Sequence, residues 1–218
     1  MKNFIDKKNA TLFLVISFFI SLVTIQIFYL AVINPLAFEY MSLAQLNNAS
    51  PERHFSVVLK DPEQKICLIL FLWSILVGLF NFFILDQEAL LILNNENVQT
   101  VLSDTSIDVS NASPDLYKVL IENKFDMLQL DLTFIKYISW AIPSIGFIGT
   151  VRGIGEALSK AAEAIDGNIT GMTSSLGVAF NSTFVALLLS ILLMLFITRI
   201  EHKQDNLIVS LRTKFLIN

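Results

Sequence analysis

The stretch AIPSIGFIGTVRGIGEAL, residues 141–158, places small and hydroxyl side chains at helical spacing inside an apolar segment. Residues on one face of an α-helix recur every three or four positions. One such face carries Ser139, Pro143, Gly146, Thr150 and Gly153, with Gly149 beside them. Small residues on one face let two helix backbones approach closely, which is the usual basis of helix packing in lipid. The stretch therefore predicts a membrane helix that packs tightly against a neighbour.

The stretch SLGVAFNSTFVALLLSI, residues 175–191, repeats this pattern in the next apolar segment. Its small residues form a matching stripe of Ala179, Thr183, Ala186 and Ser190, with Ser175 and Ser182 alongside. Two helices with such faces can pack together and do nothing else, or they can jointly line a narrow polar path. The spacing alone leaves both interpretations open.

Four segments are apolar and long enough to cross a bilayer, which needs about 20 residues of α-helix. They cover residues 10–36, 66–85, about 137–158, and 172–200. Hydrophobic residues make up 54% of the 218 residues and charged residues 16%, whereas about 25% of an ordinary soluble domain is charged. The sequence predicts an all-α, polytopic membrane protein with four transmembrane helices.

The distribution of Lys and Arg predicts the orientation of these helices, because cytoplasmic loops carry the excess of positive charge. With the N-terminus inside, ten of the 15 Lys and Arg residues fall on the inside and five on the outside. Both termini are therefore expected in the cytoplasm.

The same topology predicts three parts of the chain. Residues 1–86 form a two-span hairpin with a partly helical outside loop at 37–65, and residues 87–135 form a cytoplasmic helical segment. That segment contains a helix ending near residue 102, a loop at 103–112, and a second helix that opens with Ser113 as N-cap and Pro114 at its first position. Residues 136–218 hold the last two spans and a C-terminal helix extending into the cytoplasm.

Several classes of function are excluded by what the sequence lacks. The 15 basic against 19 acidic residues give no positive field for nucleic acid. The single Cys67 cannot form an intrachain disulfide, and no cluster has the spacing of metal ligands. No nucleophile and base set is visible, so an enzyme is not expected.

Charged and amide groups are rare near the spans. Arg152 and Glu156, spaced i and i+4, predict an ion pair at the outer interface, and Asn181 needs a partner inside the membrane. No Asp or Glu lies in the middle of any span, yet proton relays usually depend on such a group. If the chain conducts protons, a second protein should supply the acid.

The two quoted stretches resemble the MotA/TolQ/ExbB proton-channel family. Its hallmark is a Pro followed by G-x-x-G-T-V-x-G-I in one span and a small-residue span with a central Thr in the next. The resemblance is specific over residues 138–199, and the four spans are more similar to the MotA arrangement than to that of TolQ and ExbB.

The resemblance implies a ring of this chain, most often a pentamer, around two copies of a MotB/TolR/ExbD-like partner whose intramembrane Asp accepts H⁺ or Na⁺. It places the chain in the bacterial inner membrane as a stator-like subunit of an ion-driven motor, with no cofactor. By the same resemblance, Thr150 and Thr183 line the ion path. We expect Ser182 and Asn181 beside Thr183 to line it as well, and Arg152 and Glu156 to lie at its vestibule. The ring interior is shaped by Pro143, Gly146, Gly149, Gly153, Ala179 and Ala186. The alternative is a non-conducting membrane scaffold that uses the same faces only for assembly.

Overall fold

A computed structural model describes residues 7–46, 54–93, 101, 113–165 and 169–217 of the chain. Every regular element in these ranges is helical, which confirms the predicted all-α class. The elements are α1 (Lys7–Phe28), a π turn (Tyr29–Ile33), α2 (Asn34–Leu46), α3 (Phe55–Leu59), α4 (Pro62–Leu93), α5 (Pro114–Ser159), α6 (Ala161–Ile165), α7 (Thr170–Arg212) and a terminal π turn (Thr213–Ile217).

Four stretches of the described chain are long and apolar enough to cross a membrane, as the sequence predicted. They are Leu12–Ala44, Pro62–Ile92, Asp115–Ser159 and Thr170–Phe215. At 1.5 Å per residue, the 46 residues of α5 extend for about 69 Å, whereas the hydrocarbon core is about 30 Å thick. The helices of the last two spans are therefore longer than a bilayer requires.

The first helical stretch runs further than predicted. Instead of ending at residue 36, the chain stays helical through the π turn and α2 to Leu46. Pro35 has no N–H with which to continue the regular i to i−4 pattern, and immediately before it the N–H of Asn34 bonds to Tyr29 O in the wider i to i−5 pattern. The partly helical character predicted for 37–65 is confirmed by α2, α3 and the first turn of α4, and residues 47–53 lie outside the described residues.

The long helix of the third span begins where the sequence predicted. The Ser113 side chain accepts a hydrogen bond from the backbone N–H of Leu116 at 3.4 Å, and Ser113 O accepts one from Tyr117 N–H at 3.1 Å. From this cap, α5 runs unbroken into the span. The predicted helix end near residue 102 and the loop at 103–112 lie outside the described residues, apart from the helical Val101.

One compact unit comprises Met1–Ser74 and Ile138–Leu193. In this unit α1 is joined to α4, because Trp73 Nε1 donates to Leu14 O and lies 3.1 Å from Ser17 Oγ. Tyr29 donates its hydroxyl to Leu59 O at 2.6 Å and lies in a cluster of buried and half-buried apolar residues, Ile25, Tyr29, Ile33, Leu59, Leu68, Ile69 and Leu72.

The second compact unit comprises Ile75–Tyr137 and Met194–Asn218. In the C-terminal part of the chain, apolar residues at helical spacing are buried here: Ile200, Leu207, Ile208 and Leu211. Polar side chains join the helices around this core: Lys124 bonds to Glu88 at 2.7 Å, Lys203 to Asp86 at 2.6 Å, and Gln204 Nε2 to Leu128 O at 2.9 Å.

Candidate ion path between the last two spans

Three glycines bring the backbones of α5 and α7 into direct contact. A Cβ atom added at Gly153 would lie 2.7 Å from Ala179 N, and one added at Gly149 would lie 2.5 Å from Ser182 Cβ. A Cβ added at Gly146 would meet the methyl group of Ala186. Ala179 and Ala186 are themselves fully buried. The small residues of the two stretches therefore face each other, with no room for a larger side chain.

Two threonines lie in the middle of this contact. Thr150 Oγ1 and Thr183 Oγ1 are directly hydrogen-bonded to each other. Thr150 Oγ1 is also 3.1 Å from Ala179 O and 3.4 Å from Gly146 O, and Thr183 Oγ1 is 3.2 Å from Gly146 O. Each hydroxyl has one hydrogen and two lone pairs, so there are more acceptors here than hydrogens. The pair can exchange donor and acceptor roles without moving its heavy atoms.

Pro143 produces a second polar link between the same helices. Because proline has no N–H, it cannot donate the usual helical hydrogen bond to Ser139 O. The hydroxyl of Ser190 on α7 donates to that carbonyl at 2.9 Å. The proline and the serine thus act together, and α5 continues through Pro143 as a helix.

Ser182 extends the polar contacts from α7 to α4. Its hydroxyl donates to Val178 O at 2.9 Å and lies 3.4 Å from the side-chain amide of Gln64. Gln64 is fully buried. Sequence reasoning missed it because the second span was taken to begin at Ile66, whereas α4 begins at Pro62. A glutamine directly before a long apolar run was the available signal.

Arg152 makes the predicted ion pair and a stronger one that the sequence did not indicate. Its Nη1 is 2.9 Å from Glu156, whereas its Nε and Nη2 bind both oxygens of Glu63 at 2.7 and 2.8 Å. The Glu63 side chain is 10% exposed and that of Arg152 is 37% exposed. A bidentate pair of this kind fixes geometry as well as charge, so it joins α4 to α5 at one end of the unit.

Asn181 stands apart from these contacts. It is half-buried on α7, and no hydrogen bond of its side chain is found in the part of the chain that the structure describes. The polar residues that the structure brings together are the two threonines, Ser182 and Gln64.

Neither α5 nor α7 contributes an ionisable acid to the centre of this arrangement. Between Asp131 and Glu156, α5 has no Asp, Glu or His, and α7 has none before Glu201. Among the described residues, no group of three or more His, Cys, Asp or Glu side chains is placed to hold a metal ion. Hydroxyl and carbonyl oxygens can pass or orient a cation here, but the two helices hold no group that would bind a proton between steps.

A comparison with known protein families matches the part of the chain that contains this site. The family that matches is described as the MotA/TolQ/ExbB proton channel family, and the match covers residues 94–213, more than half of the chain. Neither a curated protein nor a solved structure matches the sequence at a significant level.

Proposed function

The chain belongs to the MotA/TolQ/ExbB proton channel family, and from this we propose that it is the channel subunit of a proton-driven motor in the bacterial inner membrane. Several copies, most simply five, form a ring around the spanning helices of two copies of a MotB/TolR/ExbD-like protein. Proton passage between ring and partner then turns or displaces the partner. The lipid membrane and a second copy of the chain are the other partners.

The observation that carries this proposal is the threonine pair of α5 and α7, which lies inside the matched region on two helices that carry no acid at that level. Thr150 and Thr183 supply hydroxyls that can donate or accept. A proton also needs a group that binds it during each step, and intramembrane carboxylates usually serve this purpose. A partner helix that brings an Asp next to the threonines completes the path.

The driving force is sufficient for mechanical work. One elementary charge that crosses a potential of 100 mV releases about 2.3 kcal/mol. Several such charges per cycle supply enough free energy to bias a rotation of the partner against thermal motion.

The proposed topology has both termini in the cytoplasm. Residues 1–86 then form a two-span hairpin, residues 87–135 a cytoplasmic segment, and residues 136–218 the channel part with its C-terminal helix. This arrangement rests on the excess of Lys and Arg in the inside segments. It places the ion pair of Arg152 and Glu63 at the outer end of the path.

The test measures proton flux across the membrane of vesicles that contain the chain together with the single-span protein encoded beside it. Thr183→Val removes a hydroxyl with little change in volume, and Thr150→Ala removes a hydroxyl together with a methyl group. We expect both to lower flux severely while the complex still assembles. Thr198→Val is the matched control, because Thr198 lies on α7 and its hydroxyl is exposed and bonds only within its own helix, to Met194 O.

A non-conducting scaffold is the function that this experiment would reveal instead. It predicts no partner-dependent flux in the unmodified chain, and equal assembly of the threonine variants and the control. Replacing the H⁺ gradient by a Na⁺ gradient in the same vesicles identifies the ion, since a proton channel loses its driving force under that exchange.

A further inference from the structure

Three acids lie at the end of the first unit where α4 begins. Glu63 is the only one that Arg152 binds with two nitrogens, and Glu156 receives the third Arg152 nitrogen with a side chain that is 44% exposed. Asp61 precedes Pro62 and has no hydrogen bond to the guanidinium in this arrangement. Glu63 is therefore the acid that Arg152 binds most closely, and Asp61 is the acid that receives no hydrogen bond from Arg152.

Asp61 lies near the buried side-chain amide of Gln64. The Gln64 side chain is fully buried, and its amide lies close enough to the Asp61 carboxyl to lower the pKa of that group. In the described part of the chain, Asp61 Oδ2 and Gln64 Oε1 are both buried and both lack a hydrogen-bond partner. Each buried acceptor oxygen without a hydrogen is costly in a protein interior. A proton on the carboxyl group would turn the unpaired oxygen of Asp61 into a donor.

The site is connected to the candidate ion path. The same Gln64 amide lies 3.4 Å from Ser182 Oγ, and Ser182 lies at the contact of α5 with α7, where a Cβ added at Gly149 would lie 2.6 Å from its hydroxyl oxygen. Polar atoms therefore continue from Asp61 through Gln64 to the contact of α5 with α7. From these contacts we infer that Asp61 and Gln64 form a proton-binding site at the outer end of the path. This site takes up the proton before the proton reaches the threonine pair.

The charges around Asp61 agree with this role. Burial raises the pKa of the Asp61 carboxyl above the ordinary aspartate value, and the negative charge of Glu63 raises it further, whereas Lys60, Arg152 and the Gln64 hydrogen bond lower it. Tyr29 of the π turn is the other titratable group near the carboxylate, and its hydroxyl is donated to Leu59 O. Because burial has the largest effect, the protonated form is favoured relative to an exposed Asp.

A helix cap is the competing explanation of Asp61. It occupies the N-cap position of α4, and its carbonyl accepts the first helical hydrogen bond from Lys65 N–H at 3.3 Å. Asn caps a helix as well as Asp does. Asp61→Asn therefore keeps the cap and removes only the titration, so the two explanations can be separated.

The first experiment is an infrared pH titration of the full-length chain in lipid, compared with Asp61→Asn. We expect the carbonyl band of a protonated carboxylic acid that is lost in the variant, with a midpoint above that of an ordinary aspartate. Gln64→Leu should raise the midpoint, because the amide stabilises the charged form. Glu63→Gln should lower it, because a repelling charge is removed and Arg152 is released. A midpoint at the ordinary aspartate value, or a band that survives in Asp61→Asn, overturns the inference.

The second experiment tests the link to the path, and this part rests on the proposed function. Flux in partner-containing vesicles should fall several-fold in Asp61→Asn and stay unchanged in Glu39→Gln, since Glu39 is an exposed acid on α2. Flux that is equal in Asp61→Asn and in the unmodified chain overturns the loading role. If the unmodified chain does not conduct, the proposed function fails, whereas the titration still decides whether Asp61 and Gln64 hold a proton.

Discussion

Gly153 and Gly155 allow the close contact of α5 with α7 to be measured by a matched pair of substitutions. Both lie on α5, and each gains about 1 kcal/mol of helix propensity when changed to Ala. A Cβ at position 153 would lie 2.7, 2.8 and 2.9 Å from the N, Cβ and Cα atoms of Ala179, whereas a Cβ at position 155 meets nothing within 4 Å. Because two of the atoms that crowd position 153 belong to the backbone, they cannot move aside as a flexible side chain does.

The difference between the two variants therefore isolates the packing term. Overpacking of a tight contact costs about 1–3 kcal/mol. The unfolding equilibrium constant of Gly153→Ala should therefore be about five- to 150-fold larger than that of Gly155→Ala. Equilibrium unfolding in mixed micelles measures this ratio, with Gly177→Ala as a second open position, on α7. Equal unfolding constants for Gly153→Ala and Gly155→Ala would refute the close backbone approach.

Three further contacts give predictions with measurable outcomes. Ser190→Ala should lower the free energy of unfolding by about 1 kcal/mol. This loss should largely vanish when Pro143→Ala restores the missing backbone N–H, and a double-mutant cycle in the same micelles measures the difference. A Cβ at Gly78 would meet the ring of Phe196; Gly78→Ala should therefore lower the unfolding midpoint, and Phe196→Leu should restore it, because a side chain rather than a backbone blocks the space. Arg152→Lys retains the charge but cannot bind a carboxylate with two nitrogens, so its free energy of unfolding should be about 1 kcal/mol lower. An unchanged free energy of unfolding would mean that the bidentate pair contributes nothing to stability.

The fold was largely predictable because lipid leaves few choices for an apolar chain. Length and hydropathy identified all four spans, and the cap at Ser113 located the start of α5. The extent of the first helix was not predicted, because the first span was expected to end at residue 36, whereas the chain stays helical through the π turn and α2 to Leu46. Local sequence rules describe the usual effect of a proline, and the neighbouring backbone decides the actual one.

The candidate site was predictable in part, for a different physical reason. Helical spacing put the residues around Thr150 and Thr183 on facing sides, because both stretches are regular helices with one small-residue face each. Glu63 and Gln64 were not foreseen. They come from a third helix, and their contacts with Arg152 and Ser182 depend on how α4 lies against the other two. A single sequence carries periodicity within a helix but no register between helices.

The hydrogen bond from Ser190 to Ser139 O also constrains how the chain can change over generations. A serine that supplies the hydrogen missing at Pro143 is useful only while the proline is present, and the proline is tolerated better while the serine is present. Descendants of this gene are expected to gain or lose the two residues together, with intermediate forms that are rare and short-lived. The pair would then be visible as correlated substitutions between two positions 47 residues apart in the sequence.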